Sequence, residues 1–314
     1  MSNYIFGIDI GGTTVKLGLF EQEQGLLEKW EIKTRTENHG SQILPDVADS
    51  ILAKMAEKNI TKDQVLGAGV GVPGPVTSSG EVLKCVNLGW DVFNIADTLE
   101  NLLGMKVVAG NDATVATLGE MYKGGGMGYQ NVVMITLGTG VGGGIVIDGN
   151  IIYGTTGSAG EIGHFHVNEE ETDSCNCGNQ GCLEQYASAT GIVRMAKKAL
   201  ASSSQDSTLR NIELTAKDIF DAARNGDALA SSLVDTYNKY LGTALANVAG
   251  VVNPEVFVIG GGVSRAGDII LDGVKKYYQK YAFHSCRNAK FAIAKLGNDA
   301  GIYGACKLIL NAAK

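Results

Sequence analysis

The chain has 314 residues, 45% apolar and 19% charged, with a formal net charge of −7, a composition that fits a folded protein of about two domains at roughly 150 residues each and excludes a disordered chain. The acidic balance argues against generic binding to nucleic acid or anionic membrane, although a few donors suffice to hold a small anionic substrate. Glycine is the outlier: there are 43, with only 4 prolines, which excludes collagen and proline-rich linkers and suggests that the glycines shape turns.

The start, MSNYIFGIDIGG, has no basic residue before Lys16 and becomes glycine-rich too early for a secretory signal. The longest uncharged run, 124–147, holds nine glycines with Gln130 and Asn131, too polar for a membrane span. The expectation is a cytoplasmic protein. In chain order, residues 4–20 (YIFGIDIGGTTVKLGLF) alternate as two strands about a glycine corner and predict a hairpin. Ile43, Val47, Ile51 and Met55 predict a helix behind Ser41 as its cap. The stretch from Asn94 through Leu99 and Leu103 predicts a helix stopped by Gly104 before a strand at 106–109. A second hairpin pattern, VVMITLGTGVGGGIVI, spans 132–147. Residues 201–214 are serine-rich and read as a surface loop. Leu229, Leu233, Tyr237, Leu241 and Leu245 mark one more helix. The tetrapeptide GNDA occurs at 110–113 and again at 297–300, each time after a strand-like run and before an alanine-rich helical one. With the two hairpins this is a weak internal duplication, and two related α/β lobes follow from it.

Two segments, 69–74 and 138–143, fit G-x-G-x-x-G, but the first runs into Pro75 and the second into a β-branched strand. Neither opens a helix, so the dinucleotide fingerprint does not apply. What remains is anion binding by hairpin turns whose unhindered N–H groups approach a phosphate closely. Gly11, Gly12, Thr13 and Thr14 make one such turn, and Gly138, Thr139 and Gly140 the other. A carboxylate at Asp9 beside bound phosphates needs a cation between them, which gives it the role of holding Mg²⁺ through water. For either turn alone, tight chain reversal is an adequate alternative reason for the glycines.

The cysteines stand at 85, 175, 177, 182, 286 and 306. Cys175, Cys177 and Cys182, with His164 ahead of them, offer the closed Cys₃His set of a structural zinc site, and His166 is the other candidate for the imidazole. Glu161 and Glu184 flank this loop. With Asn87, Asn111 and the Gly74 backbone they supply donors and acceptors suited to a polyhydroxylated ligand, though each exposed glutamate alone reads equally as a solvated charge. Asp112 follows a strand at the mouth of a helix, where it is either a reactive carboxylate or a helix cap.

The order DIGGTTVKLGLF, GVGVPGPV, NLGW, GNDA, LGTGVGGG, GEIGH and CNCGNQGCLEQYASATGI resembles the ROK family of sugar kinases and repressors over almost the whole chain, most of all its bacterial glucokinase branch. The resemblance implies an α/β, two-lobed, actin-like ATPase (ribonuclease H-like) fold with a small zinc-binding loop, divided as residues 1–117 plus 301–314 and residues 118–300, the second carrying the zinc. It implies phosphorylation of glucose at the 6-hydroxyl by ATP, with Mg²⁺ and structural Zn²⁺. Asp112 is then the base. Gly74, Asn87, Asn111, Glu161, His164 and Glu184 meet the sugar; Asp9, Gly11, Gly12, Thr13, Thr14, Lys16, Gly138, Thr139, Gly140, Gly261 and Gly262 meet the nucleotide; and His164, Cys175, Cys177 and Cys182 hold the zinc. Relatives imply a homodimer or homotetramer. Alternatives are a kinase for fructose, mannose or N-acetylmannosamine, and a catalytically weak sugar sensor. The repressor branch carries an N-terminal helix-turn-helix, which the early first strand does not suggest here.

Overall fold

In the computed structural model, which describes residues 3–313, the chain divides into two compact units. One comprises residues 3–130, 144–160 and 295–313, and the other residues 131–143 and 161–294. The elements in chain order are β1 (Tyr4–Ile10), β2 (Thr14–Glu21), β3 (Gly25–Lys33), the single turn α1 (Glu37–Gly40), α2 (Ile43–Lys58), β4 (Val65–Val72), a short ribbon of β5 (Glu81–Val82) and β6 (Phe93–Asn94), α3 (Ile95–Leu103), β7 (Val107–Asn111) and α4 (Asp112–Lys123). Next come β8 (Val132–Leu137), β9 (Val141–Ile147), β10 (Asn150–Ile151), α5 (Glu184–Ala187), α6 (Ala189–Ser202), α7 (Ala216–Arg224), α8 (Ala228–Val252), β11 (Val256–Gly260), α9 (Asp268–Tyr281), β12 (Lys290–Ile293) and α10 (Ala300–Ala312).

The first sheet has the order β3-β2-β1-β4-β7 and the second β10-β9-β8-β11-β12. Counted within each sheet, both read 3-2-1-4-5, so the duplication seen in the sequence is a duplication of topology. β1 pairs antiparallel with β2 and parallel with β4, and β4 parallel with β7, while β11 lies parallel between β8 and β12. The first GNDA ends the fifth strand of its sheet and opens α4, and the second follows β12 and leads into α10. Strand period explains the core of the first unit. Phe6, Ile8 and Ile10 face one hydrophobic cluster with Val47 and Ile51 of α2 and Leu99 of α3, and Ile5 faces the other way, onto Ile302, Cys306 and Ile309 of α10.

The glycines do more than turn the chain. A Cβ on Gly69 in β4 would lie 1.9 Å from the Ala305 carbonyl oxygen, and one on Gly304 in α10 would lie 1.7 Å from that of Val115 in α4. These glycines are contact surfaces that let α10 lie flush on the sheet and on α4, which corrects the expectation that glycine serves turns here. The stripes at Ile43 to Met55 and Leu229 to Leu245 are buried on α2 and α8. Ser41 is not the cap of α2: that position is Gln42, entered from left-handed Asn38, His39 and Gly40, and it makes no side-chain cap bond. α3 ends as expected at Gly104, whose φ is 66° and whose N–H donates to the Glu100 carbonyl. Among the described residues, no helix is long and apolar enough to cross a membrane.

Candidate active site

In the first unit the parallel register brings the carboxyl ends of β1, β4 and β7 together: Asp9 pairs with Gly71, and Val72 with Asn111. Crevices at such ends are where open α/β sheets bind ligands. Asn111 caps α4, its Oδ1 accepting the Thr114 N–H at 3.1 Å. Its amide nitrogen donates to the Gly74 carbonyl at 3.0 Å and to Asp112 Oδ1 at 3.0 Å. Asp112 Oδ1 also accepts the Ala113 N–H at 2.8 Å. The cap is thus Asn111, and Asp112 is a half-buried carboxylate with one oxygen oriented by donors at a helix N-terminus. Its sequence twin Asp299 forms an ion pair with Lys29 at 2.7 Å instead.

Asp9 is pushed up to about 6, first by burial, against the lowering charge of Lys16 and with a further rise from the charge of Asp112. Lys16 stands opposite Asp9 in the hairpin register and donates from Nζ to the Asn298 carbonyl at 3.2 Å. Asn87 is exposed on the short turn Val86–Leu88. Cys85 just before it is buried, and its thiol is raised by that burial and, to a lesser degree, by the charge of Asp112.

The two glycine turns have matching hydrogen bonding, each within its own unit. Gly11 N–H donates to the Thr14 carbonyl at 3.0 Å, and Gly138 N–H to the Gly140 carbonyl at 3.0 Å. The following N–H groups, of Gly12 and Thr13 and of Thr139 and Gly140, donate to nothing among the described residues. A Cβ added at Gly12 or Gly138 would meet no atom within 4 Å, and neither glycine has a positive φ. Neither an intramolecular contact nor the backbone conformation requires glycine there. The same holds for Gly262, while Gly261 has φ 80° and would strike the Leu137 carbonyl at 2.4 Å. Gly262 lines a hollow of about 520 Å³ with Gly138, Thr139, Phe220, Asp221 and Arg224. The residues from α7 in this lining carried no signal in the sequence, because only the fold brings them beside the glycines.

In the second unit His164, Cys175, Cys177 and Cys182 converge, with one ligand atom from each lying within 4.8 Å of the others. Cys177 and Cys182 Sγ are 3.6 Å apart, and Cys175 Sγ lies 3.8 Å from His164 Nδ1. Zn–S bonds of about 2.3 Å and Zn–N bonds near 2.1 Å give tetrahedral edges of roughly 3.6–3.8 Å, so the donor set fits that metal. His166 lies outside the cluster, its Nδ1 3.0 Å from the Gln180 carbonyl oxygen. Glu184 reaches two ways: Oε1 accepts from the Cys175 thiol at 2.9 Å, and Oε2 from Val141 N–H, just past the glycine turn, at 3.4 Å. Glu161 Oε2 lies 3.8 Å from His164 Nε2.

One brace was not legible. Glu171, the last of three consecutive glutamates, is buried and takes the Tyr186 hydroxyl at 2.6 Å and Arg194 of α6 at 2.5 Å. The Arg194 guanidinium holds its carboxyl well below the usual range. Asp173, also on the loop, binds Arg194 at 2.9 Å and Lys198 at 2.6 Å, so the cysteine loop is tied to α6 by charge.

Two mixed sheets of order 3-2-1-4-5, each with a glycine hairpin turn, and a Cys₃His loop in the second unit define the doubled ribonuclease H-like fold of the actin-like ATPases. The ROK family profile matches residues 5–312, and the chain belongs to that family. It is 44% identical over 304 residues to a glucokinase of Halalkalibacterium halodurans, covering 95% of this chain and 92% of that one. Among solved structures it is similar to a ROK hexokinase from Thermus thermophilus (TM-score 0.80, 28% identity, 99% of each chain). It is also similar to a ROK family glucokinase from Streptomyces griseus in complex with glucose and AMPPNP (TM-score 0.69, 34% identity, 97% of this chain and 98% of that one).

Proposed function

We propose that the protein is an ATP-dependent glucokinase that transfers the γ-phosphoryl group to the 6-hydroxyl of glucose, giving glucose 6-phosphate and ADP. The full-length likeness to a glucokinase carries this reading. Phosphoryl transfer needs positioning and charge stabilisation more than covalent chemistry. Asp112, with Oδ1 held by Ala113 and Asn111, orients the 6-hydroxyl and takes its proton. Asn87, Asn111, Gly74, Glu161, His164 and Glu184 bind the pyranose.

The turns at Gly11 to Thr14 and Gly138 to Gly140 offer N–H groups to the phosphates, with Lys16 nearby. Gly261 and Gly262 leave room beside the adenosine. Asp9, raised by burial and by the charge of Asp112, is suited to a cation, and it would hold Mg²⁺ through water, the ion that neutralises charge on the β- and γ-phosphate oxygens. His164, Cys175, Cys177 and Cys182 would hold Zn²⁺ as a structural ion that fixes Glu161 and Glu184. The protein is read as cytoplasmic and as a homodimer or homotetramer.

The test is coupled ADP release with MgATP against glucose, mannose, fructose, N-acetylglucosamine and N-acetylmannosamine. Glucose is expected to give the highest kcat/KM. Turnover on another sugar alone would replace glucose in this reading, and sugar binding without turnover would favour a sensor.

A further inference from the structure

We propose that Thr34 and Thr190 are paired positioning residues for the two phosphate turns, each pinning a carbonyl of its own turn so that the turn presents N–H groups to the anion. The proposal rests on the reading of those turns as phosphate binders. A short turn carries as many carbonyl oxygens as N–H groups, and an oxygen facing a phosphate repels it. The turn therefore works only if its carbonyls are engaged elsewhere.

In the first unit Thr34, just past the end of β3, does this twice. Its hydroxyl donates to the Gly11 carbonyl at 2.7 Å, and its backbone N–H donates to the Thr13 carbonyl at 3.0 Å. In the second unit the start of α6 does the same work. Ala189 N–H donates to the Gly138 carbonyl at 2.8 Å, and the Thr190 hydroxyl to the Thr139 carbonyl at 2.6 Å. Ser188 secures that helix end by accepting the Gly191 N–H at 2.9 Å. One threonine comes from a strand end and the other from a helix start, yet each gives its hydroxyl to a turn carbonyl.

The competing explanation is that each threonine is a space-filling β-branched residue, in which case valine serves as well. The experiment measures binding of AMPPNP with Mg²⁺, and separately of glucose, by titration calorimetry on the full chain. The proteins are wild type, Thr34→Val, Thr190→Val, the two serine variants, and Gly12→Val and Gly138→Val. Gly12 and Gly138 face open space, so their valines are compatible with the fold.

Each threonine-to-valine change is expected to weaken AMPPNP roughly five- to tenfold, the worth of one hydrogen bond. Glucose affinity should stay unchanged, and serine should restore nucleotide affinity. Valine variants that bind AMPPNP as wild type does, while the glycine variants lose it, would overturn the threonine roles and leave the turns as phosphate sites. Wild-type AMPPNP binding in the glycine variants would remove the phosphate reading and this proposal with it. Equal loss of AMPPNP and glucose affinity, with a lowered Tm and no rescue by serine, would reduce the threonines to packing.

Discussion

At Asp112 the carboxylate keeps one oxygen on the Ala113 N–H and the Asn111 amide, so replacement by asparagine preserves size and much of the position while removing the proton acceptor. Asp112→Asn is expected to lower kcat by about 10²- to 10⁴-fold with glucose affinity within a factor of about three, as read by calorimetry and steady-state kinetics. Asp9 gives a prediction in pH. Burial pushes its carboxyl up to about 6 from an ordinary 3.8, so between those values the folded state binds the proton more tightly than the unfolded state. Stability contributed by this group is therefore greatest below about pH 4, falls as pH rises towards 6, and stays reduced above that. In the absence of nucleotide and Mg²⁺, the unfolding free energy of wild type minus that of Asp9→Asn should drop by on the order of 3 kcal/mol between about pH 4 and pH 7. Parallel curves for the two proteins in denaturant unfolding would show that Asp9 is not perturbed by burial.

At the scale of elements, the cysteine loop depends on its tie to α6. Removing Arg194 leaves buried Glu171 with only the more exposed Lys198, 3.4 Å away, as a cation, and loss of one partner of such a pair costs more than loss of both. Arg194→Met is expected to destabilise the protein by on the order of 3 kcal/mol. Adding Glu171→Leu should recover part of that loss, a comparison made by thermal melts of the single and double variants. The α4 and α10 contact makes a second case: Gly304→Ala forces a Cβ to 1.7 Å from the Val115 carbonyl oxygen unless the helices separate. A fall in Tm is expected, with a cost of about 1–3 kcal/mol or more. These two features also mark where the sequence ceased to be readable. The hairpins, the GNDA helices and the Cys₃His loop depend on neighbours a few residues apart, and spacing reveals them. Glu169, Glu170 and Glu171 look alike in a row, and only the packing of Tyr186 and α6 separates the buried one from its exposed neighbours. A glycine that admits a helix has the same symbol as one that bends a turn, so Gly69 and Gly304 were legible as glycines but not as contact surfaces.

For the whole molecule, the repeated 3-2-1-4-5 order accounts for why similar motifs recur so far apart in the chain. The repetition also shows like segments with unlike surroundings: both GNDA segments lie at or after a fifth strand, but Asp112 is near enough to Asp9 to raise its carboxyl while Asp299 serves Lys29. Position in the duplicated fold therefore does not by itself assign a role to the aspartate, because the neighbouring groups differ. The most direct test of the account is the rate of ADP formation from MgATP with glucose, compared with the four other sugars, in wild type and Asp112→Asn. Glucose-dependent turnover that exceeds the other sugars and falls at least about a hundredfold in the variant is the predicted result. Turnover on glucose that survives in Asp112→Asn, or none above the sugar-free rate in wild type, would contradict it.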